Sequence, residues 1–488
     1  MIPSEGLLGT TFRKDPLTYI SLNPNFDSNT KNLPVPVDKR IPLGMDYFSL
    51  DNSQTGLFLN TNWKGKPSSA PTYLRLQVAI DTREKDEVEV ILAKSGKKIG
   101  HLSIWYATAL QIFESELSAS LSEIVSEGIQ IRLMNGIKPM FFLASTAENG
   151  SHILLCSDPT KLSANRNRTM LYSQRSVQPF GWLEGCVLDG LQELYQRKGD
   201  KKALSAIRTH LALFLKTDGS LIYEDPIGRP SDNRFNNLEA GLPFSIVAKY
   251  APSHPSMNLF LDYCKTRIGN SKTVKENTLT AEGCYTIAYP LAAVARELNR
   301  PEWYEFALIE LEDRIVTLTD ADAVYTRAWK NTGVKTYRNW GRGYTWFLLG
   351  LIRTAEILQN DSPFKNHKRI EHLREVYTYY AKLALTHQQA DHSWNAYLDL
   401  DTTSYDSSAT AGLGAALAHG MRIGWLDNFS QQQLQKIRLR LTQNLTPDGL
   451  ITGICQQNAA GEDLQKSEYR VIAQYVLGLM AHIDAHLN

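Results

Sequence analysis

The order of apolar and polar residues changes character near residue 175. Before it, the two kinds alternate in short runs: TYLRLQVAID (72–81), DEVEVILAK (86–94), HLSIWYATALQIFES (101–115), GIQIRLMNG (128–136), PMFFLAS (139–145) and SHILLCSD (151–158). A two-residue period puts successive side chains on opposite faces of a strand. Turns rich in Lys, Gly, Ser and Asp separate the runs, so residues 1–170 are expected to form an antiparallel β-sandwich. The stretch 1–50 is rich in Pro and Asn and is expected to be extended or loosely packed.

Over 175–488 the period becomes helical. Helices carrying many small residues are predicted to start near Trp182, Asn237, Glu282, Arg342, Ser407 and Glu468. Gly185, Gly190, Gly241, Gly350, Gly412, Gly414 and Gly478 fall on them, and small side chains let helices pack closely around a crowded axis. More polar helices are expected between them, at 200–216, 255–268, 301–316, 366–387 and 429–444. Turns containing Asp or Gly recur before the small-residue helices, as in TDGSLI (217–222), ADHSWN (390–395) and TPDGLI (446–451). Six inner helices alternating with five or six outer ones predict a closed (α/α)6 toroid, a mainly α fold behind the β-domain. An open helical array is the alternative.

Composition narrows the function. Hydrophobic residues at 43% and charged residues at 21% exclude wholesale disorder. Lys+Arg at 52 against Asp+Glu at 51 leaves no basic footprint for nucleic acid. No run approaches the ~18 apolar residues of a membrane helix. MIPSEGLLGTTFRKDP lacks a basic segment followed by an apolar one, so no secretory signal is expected. Cys156, Cys186, Cys264, Cys284 and Cys455 are widely spaced without a CxxC, which reads as buried thiols of a reducing compartment. A cytoplasmic location follows as the expectation, although a trimmed periplasmic or secreted chain would read the same.

In a toroid the leading ends of the inner helices line a central funnel. This points to NRFNNLEAG (233–241), LTAEGCY (279–285), TYRNWGRGYTW (336–346), TSYDSSATAG (403–412) and QKSEYRV (465–471). Arg338, Arg342 and Trp346 are four apart and would share a helical face. Two guanidiniums can grip a carboxylate and an indole can stack on a sugar. The same spacing also fits one solvated Arg, one ion-paired Arg and a core Trp. Glu282 at a helix start is favoured by the helix dipole, and inside a funnel burial would raise its pKa toward proton donation. Asp406 is either a helix cap or a funnel carboxylate. Asn236, Asn237 and Glu239 open another inner helix and Glu184 opens the first, while Tyr285 follows Glu282 in its funnel segment. His387 and His392 are poorly spaced for a metal, and no GxSxG, HExxH or phosphate-cradling loop occurs. No metal or cofactor is expected.

WLEGCVLDGLQELYQRKGD (182–200), WGRGYTWFLLGL (340–351) and YDSSATAGLGAAL (405–417) resemble, in this order, segments of the unsaturated uronyl hydrolases of glycoside hydrolase families 88 and 105. Those enzymes act on 4,5-unsaturated uronic acids left at chain ends by polysaccharide lyases. The likeness spans roughly 180–488 and implies a divergent relative with an added N-terminal β-domain. It implies Arg338, Arg342 and Trp346 as substrate binders and places the catalytic carboxylate on Glu282, where the family has Asp. The family's other aspartate falls on Asn236, with Glu239 one turn later, and a family histidine falls near Thr326. The changed carboxylate pair fits a uronidase acting on saturated sugar.

The expected function is therefore a glycoside hydrolase removing a terminal uronic acid from plant- or algal-type oligosaccharides, as a β-glucuronidase or an unsaturated glucuronyl or galacturonyl hydrolase. Glu282 would donate the proton, and Glu239, Asp406 or Glu184 would act as base or nucleophile. Asn236 and Tyr285 would help bind substrate. The alternatives are a sugar epimerase or polysaccharide lyase with a Tyr or His base, and a non-catalytic carbohydrate-binding protein. No nucleic acid or membrane partner is implied, and a homo-oligomer is compatible with the sequence.

Overall fold

The computed structural model describes residues 17–26, 30–52, 56–61, 71–144, 153–157, 162–268 and 273–488. The segment read for a secretory signal lies outside them, as do 145, 151–152 and 158 of the expected strands. Ten strands form the N-terminal domain: β1 (Leu17–Asn25), β2 (Tyr47–Leu50), β3 (Leu57–Thr61), β4 (Thr72–Ile80), β5 (Lys85–Leu92), β6 (Lys98–Trp105), β7 (Ile112–Glu116), β8 (Ile129–Asn135), β9 (Met140–Leu143) and β10 (Ile153–Ser157). All their pairings are antiparallel, in the order β2-β9-β4-β10-β1-β3-β8-β5-β6, with β7 also on β4. β1 bonds β10 through Leu17–Ser21 and β3 through Leu22–Asn25, so it turns a corner between two packed layers. The Ser118 N–H donates to the Ile99 carbonyl at 2.8 Å, bringing the β6 edge round to the β7 chain. Helix α1 (Leu121–Glu127) opens on a capping box between Ser120 and Glu123.

Two expectations need correction here. The run 101–115 is two strands, because Tyr106 and Leu110 take left-handed backbone (φ 50° and 65°) between β6 and β7. The stretch before residue 50 is also not loose throughout: β1 and β2 bury Ile20, Leu22, Phe48 and Leu50 in the core. Their short apolar alternations stand among Pro and Asn residues, which hides them from a composition argument.

The helical part begins with α2 (Arg166–Leu171). There follow α3 (Trp182–Lys198), α4 (Lys201–Phe214), α5 (Phe244–Tyr250), α6 (Ser256–Ile268), α7 (Tyr289–Glu297), α8 (Glu302–Leu318), α9 (Gly341–Asp361), α10 (Lys368–Thr386), α11 (Ser407–Arg422), α12 (Gln431–Thr442), α13 (Glu462–Lys466) and α14 (Tyr475–His486). Helices α3, α5, α7, α9, α11 and α14 touch in a cycle, each against the next and α14 back against α3. Each also packs on one outer helix: α4, α6, α8, α10, α12 and, for α14, the short α2. The cycle shuts where Gly190 meets Gly478, since a Cβ on Gly190 would lie 2.2 Å from the Gly478 carbonyl oxygen. The last inner helix starts at Tyr475, not near Glu468, because residues before it are held extended by a bridge between Ile454 and Val471. A small sheet of β11 (Thr278–Thr280), β12 (Thr319–Asp320), β13 (Ala323–Trp329) and β14 (Lys335–Arg338) stands at the leading ends of the inner helices.

The two parts are joined by buried charge. Asp448, in the TPDGLI turn, takes Arg75 Nη2 at 2.7 Å, Arg175 Nη1 at 3.0 Å and the Tyr19 hydroxyl at 3.1 Å. Arg40 grips Asp232 at 2.7 Å, and Trp105 stacks on Tyr469 at 4.3 Å. Among the described residues no helix is long and apolar enough to cross a membrane. Cys186, Cys264, Cys284 and Cys455 are free and buried, and the side chain of Cys156 lies outside the described set.

Candidate active site

The leading ends of the inner helices open into a pocket of about 210 Å3, whose lining includes Trp182, Glu239, Glu282, Trp340, Arg342 and Trp346. Glu239 sits in a short 3-10 turn, Leu238–Ala240, whose Asn237 cap accepts the Glu239 N–H at 2.9 Å. Glu282 follows β11 and precedes a single π-helical turn, Cys284–Ala288, a winding common at functional sites. Gly241 lets the two segments meet: a Cβ there would lie 2.0 Å from the Thr286 carbonyl oxygen.

These two carboxyls have few local partners. Glu282 Oε2 is buried without a hydrogen-bond partner, and lost hydration raises the group's pKa. Glu239 keeps an exposed edge in the pocket, yet protein crowds its carboxyl. That crowding first, and the Glu282 charge second, push it up to about 7. Arg327, on β13, faces both acids and draws them down. The indole of Trp182 meets Trp346 edge-on at 5.6 Å and Tyr475 at 5.0 Å, giving the pocket an aromatic floor. A second groove of about 550 Å3 adjoins at Asn237 and is lined by Thr280, Arg327 and Trp329.

The other residues singled out from the sequence divide. Arg342 and Trp346 line the pocket, but both terminal nitrogens of Arg342 donate to protein: Nη1 to the Cys455 carbonyl (2.9 Å) and the Tyr475 hydroxyl (3.0 Å), Nη2 to the Gln456 carbonyl (2.6 Å). Arg338 is not beside them. It ends β14, half-exposed and paired with Asp399 and with Asp322 at 2.6 Å. The four-residue spacing fails because Tyr337 and Asn339 take left-handed backbone (φ 55° and 51°), so the helix starts only at Gly341.

Asp406 is buried as the α11 cap, accepting the Ser408 N–H at 2.9 Å and the Cys455 N–H at 3.1 Å, and is no part of the pocket lining. Glu184 is buried against His210 Nδ1 at 2.8 Å and the Gln178 N–H at 2.8 Å. The Tyr285 hydroxyl donates to Asp189 at 2.5 Å, and its ring stacks on Trp346 beneath the floor. Asn236 lies in the adjoining groove, its amide on Ser231 at 3.2 Å. Thr326 is buried on β13 against Gly343.

Sequence reasoning missed Arg83, Trp182, Trp340 and Arg327. The two tryptophans directly precede or open inner helices, a signal that was available. Arg83 comes from the turn between β4 and β5 and had none.

At the trailing ends of the same helices lies a charged cluster. Asp189 accepts from Arg353 (2.7 Å) and the Tyr289 hydroxyl (2.7 Å), and Glu193 from Arg353 (2.9 Å) and Arg197 (2.7 Å). Glu193, His419 and His486 offer ligand atoms within 4.8 Å of one another. Both Glu193 oxygens already take guanidinium donors, so charge there is neutralised without a metal.

The family model described as Glycosyl Hydrolase Family 88 matches residues 160–487. The chain belongs to that family. It is a glycoside hydrolase, and its β-domain lies almost wholly outside the match. Among solved structures, a glycoside hydrolase of family 105 from C. acetobutylicum is 18% identical (TM-score 0.54, 67% of this chain and 99% of that one). A possible family 105 member from Salmonella enterica serovar Paratyphi A is 17% identical (TM-score 0.53, 63% and 82%). A family 88 hydrolase from Bacteroides vulgatus is 14% identical (TM-score 0.50, 66% and 96%). At such identities the likeness shows a shared fold. No curated protein matches the chain.

Proposed function

We propose that this family 88 hydrolase removes a terminal uronic acid from an oligosaccharide, on an (α/α)6 toroid, with Glu282 and Glu239 as its working pair. The observation that carries this is two weakly partnered carboxyls facing one pocket, both held above the ordinary carboxylate range. Glycoside cleavage requires two such groups in distinct environments. Because they interact, they titrate together, and the pair holds a proton above the range in which an ordinary carboxyl has lost it.

Glu282 donates its proton to the glycosidic oxygen or, for an unsaturated ring, to C4. Glu239 then activates water or attacks the sugar. Trp182 supplies a face for the ring, and the adjoining groove gives room for the leaving portion. The inner helices present their N-terminal ends toward the pocket, and their partial positive charge favours an anionic sugar. The resemblance of the helical part to the unsaturated uronyl hydrolases, and its match to the family 88 model, agree with a uronide substrate.

The test is an activity screen on aryl β-glucuronide, aryl β-galactoside and lyase-generated unsaturated disaccharides. Turnover of a uronide is expected, and on the unsaturated substrates the ultraviolet absorbance of the ring would fall. Absence of turnover on every uronide would remove the reading.

A further inference from the structure

We infer that the substrate's carboxylate is read by Arg83, a residue of the β-domain. This rests on the uronide reading above. Three guanidiniums line the pocket: Arg83, Arg229 and Arg342. Arg342 is committed to two carbonyls and a hydroxyl. Arg229 and Arg83 each meet one carboxylate through Nε, Arg229 that of Asp225 at 2.8 Å. Arg83 is the less exposed of the two (39% against 57%) and the one whose charge acts on Glu239. Its Nε lies 2.9 Å from Asp81 Oδ2, while its two terminal nitrogens have no hydrogen bond among the described residues. That leaves the outer edge of a planar cation free, the edge that binds a carboxylate with two parallel hydrogen bonds.

The turn holding Arg83 is built to aim it. Asp81, buried, accepts the Arg83 N–H at 2.9 Å, and the Thr82 hydroxyl accepts the Glu84 N–H at 3.2 Å. Arg83 itself takes φ 61°, a left-handed conformation that these two hydrogen bonds hold. The charge of Arg83 acts on Glu239, so the cation and the reacting pair share one space. The β-domain also holds the pocket wall: Gln457, in the lining, donates to the Tyr106 carbonyl at 2.8 Å. The domain thus completes the site as well as bracing it.

Arg327 and Arg229 are the competing cations, Arg327 facing the acids from the adjoining groove and Arg229 lining the same pocket. The experiment compares Arg83→Gln, Arg83→Lys, Arg229→Gln and Arg327→Gln in the full chain, by calorimetric titration with free glucuronate and glucose and by kcat/KM on the uronide that the wild type cleaves. Arg83→Gln is expected to weaken glucuronate binding and kcat/KM roughly ten- to a hundredfold, the loss of a charged hydrogen bond, chiefly through KM. Glucose binding should not move, and Arg83→Lys should recover part of the loss. Uronide turnover with unchanged kcat/KM in Arg83→Gln overturns the assignment to Arg83 alone, as does an equal loss for glucose or a loss carried by Arg229→Gln or Arg327→Gln instead. A wild type that neither binds nor cleaves any uronide overturns the uronide reading, and this inference with it.

Discussion

The inner helices carry carboxylates at both ends, and the two sets live in opposite conditions. At the trailing ends Asp189 and Glu193 are buried and Glu356 is mostly so, which alone would raise their pKa values. Arg353 and, for Glu356, His419 outweigh that and hold all three below the ordinary carboxylate range. At the leading ends Glu239 and Glu282 are crowded by protein without such pairing, and both are raised. Residue type and supporting helices are shared, so partners make the difference. Matched charges lock the helix ends together, whereas a carboxyl left short of partners can keep a proton to give away.

The largest effect should come from breaking the locked end. Arg353→Met strands Asp189 and Glu193 beside each other in the interior, and a loss of about 3–5 kcal/mol is expected from denaturant unfolding. Retained stability would mean that the cluster is not what closes the far end.

At the open end the sign reverses. Glu282→Gln should lower kcat on natural oligosaccharide at least ~10²-fold and Glu239→Gln comparably, with no loss of stability. Glu282→Gln should recover much of its rate on a nitrophenyl glycoside, whose leaving group needs no proton. If Glu239→Gln shows that recovery instead, the donor and base exchange places.

Stability against pH sharpens the same contrast. Burial lowers His419 from 6.5 to about 4 and His486 to about 2. Between about 4 and 6.5 the unfolded chain therefore binds protons that the fold refuses, and stability rises with pH. Glu239 works the other way: from 4.5 to about 7 the fold keeps a proton that the unfolded chain releases, so its contribution falls as pH rises. Unfolding midpoints across this range should flatten at the acid side in His419→Gln and at the neutral side in Glu239→Gln.

The smallest effects belong to two acid-or-base positions that the pocket does not use. Asp406→Ala should cost about 0.5–2 kcal/mol as a lost helix cap, on top of its effect on neighbouring backbone. Arg338→Ala should cost no more than ~1 kcal/mol and leave kcat/KM unchanged.

What could be read from the sequence follows physical range. The start of α3 at Trp182 and of α11 at Ser407 was legible, because helical period and, for α11, the Asp406 cap act over a few residues. That Glu239 and Glu282 would approach one pocket was legible as well, since leading ends must converge once the helices form a cycle. Arg338 was misplaced because two left-handed residues with ordinary side chains leave no mark in composition. Arg83 could not be foreseen, as its place in the pocket depends on how one domain docks on another, through pairs such as Arg75 and Asp448 that are 373 positions apart.

The meeting of Gly190 and Gly478 bears on the order in which the molecule forms. Five helix hairpins can assemble from neighbours in sequence, but the α3–α14 seam joins residues such as Lys198 and Leu487, 289 positions apart. Closing a flexible loop of that length costs about 5 kcal/mol in chain entropy. The seam is then expected to form after the hairpins that it joins. Until it shuts, the chain is an open arc whose two bare flanks fit each other, and at high concentration each can be met by the flank of a second molecule.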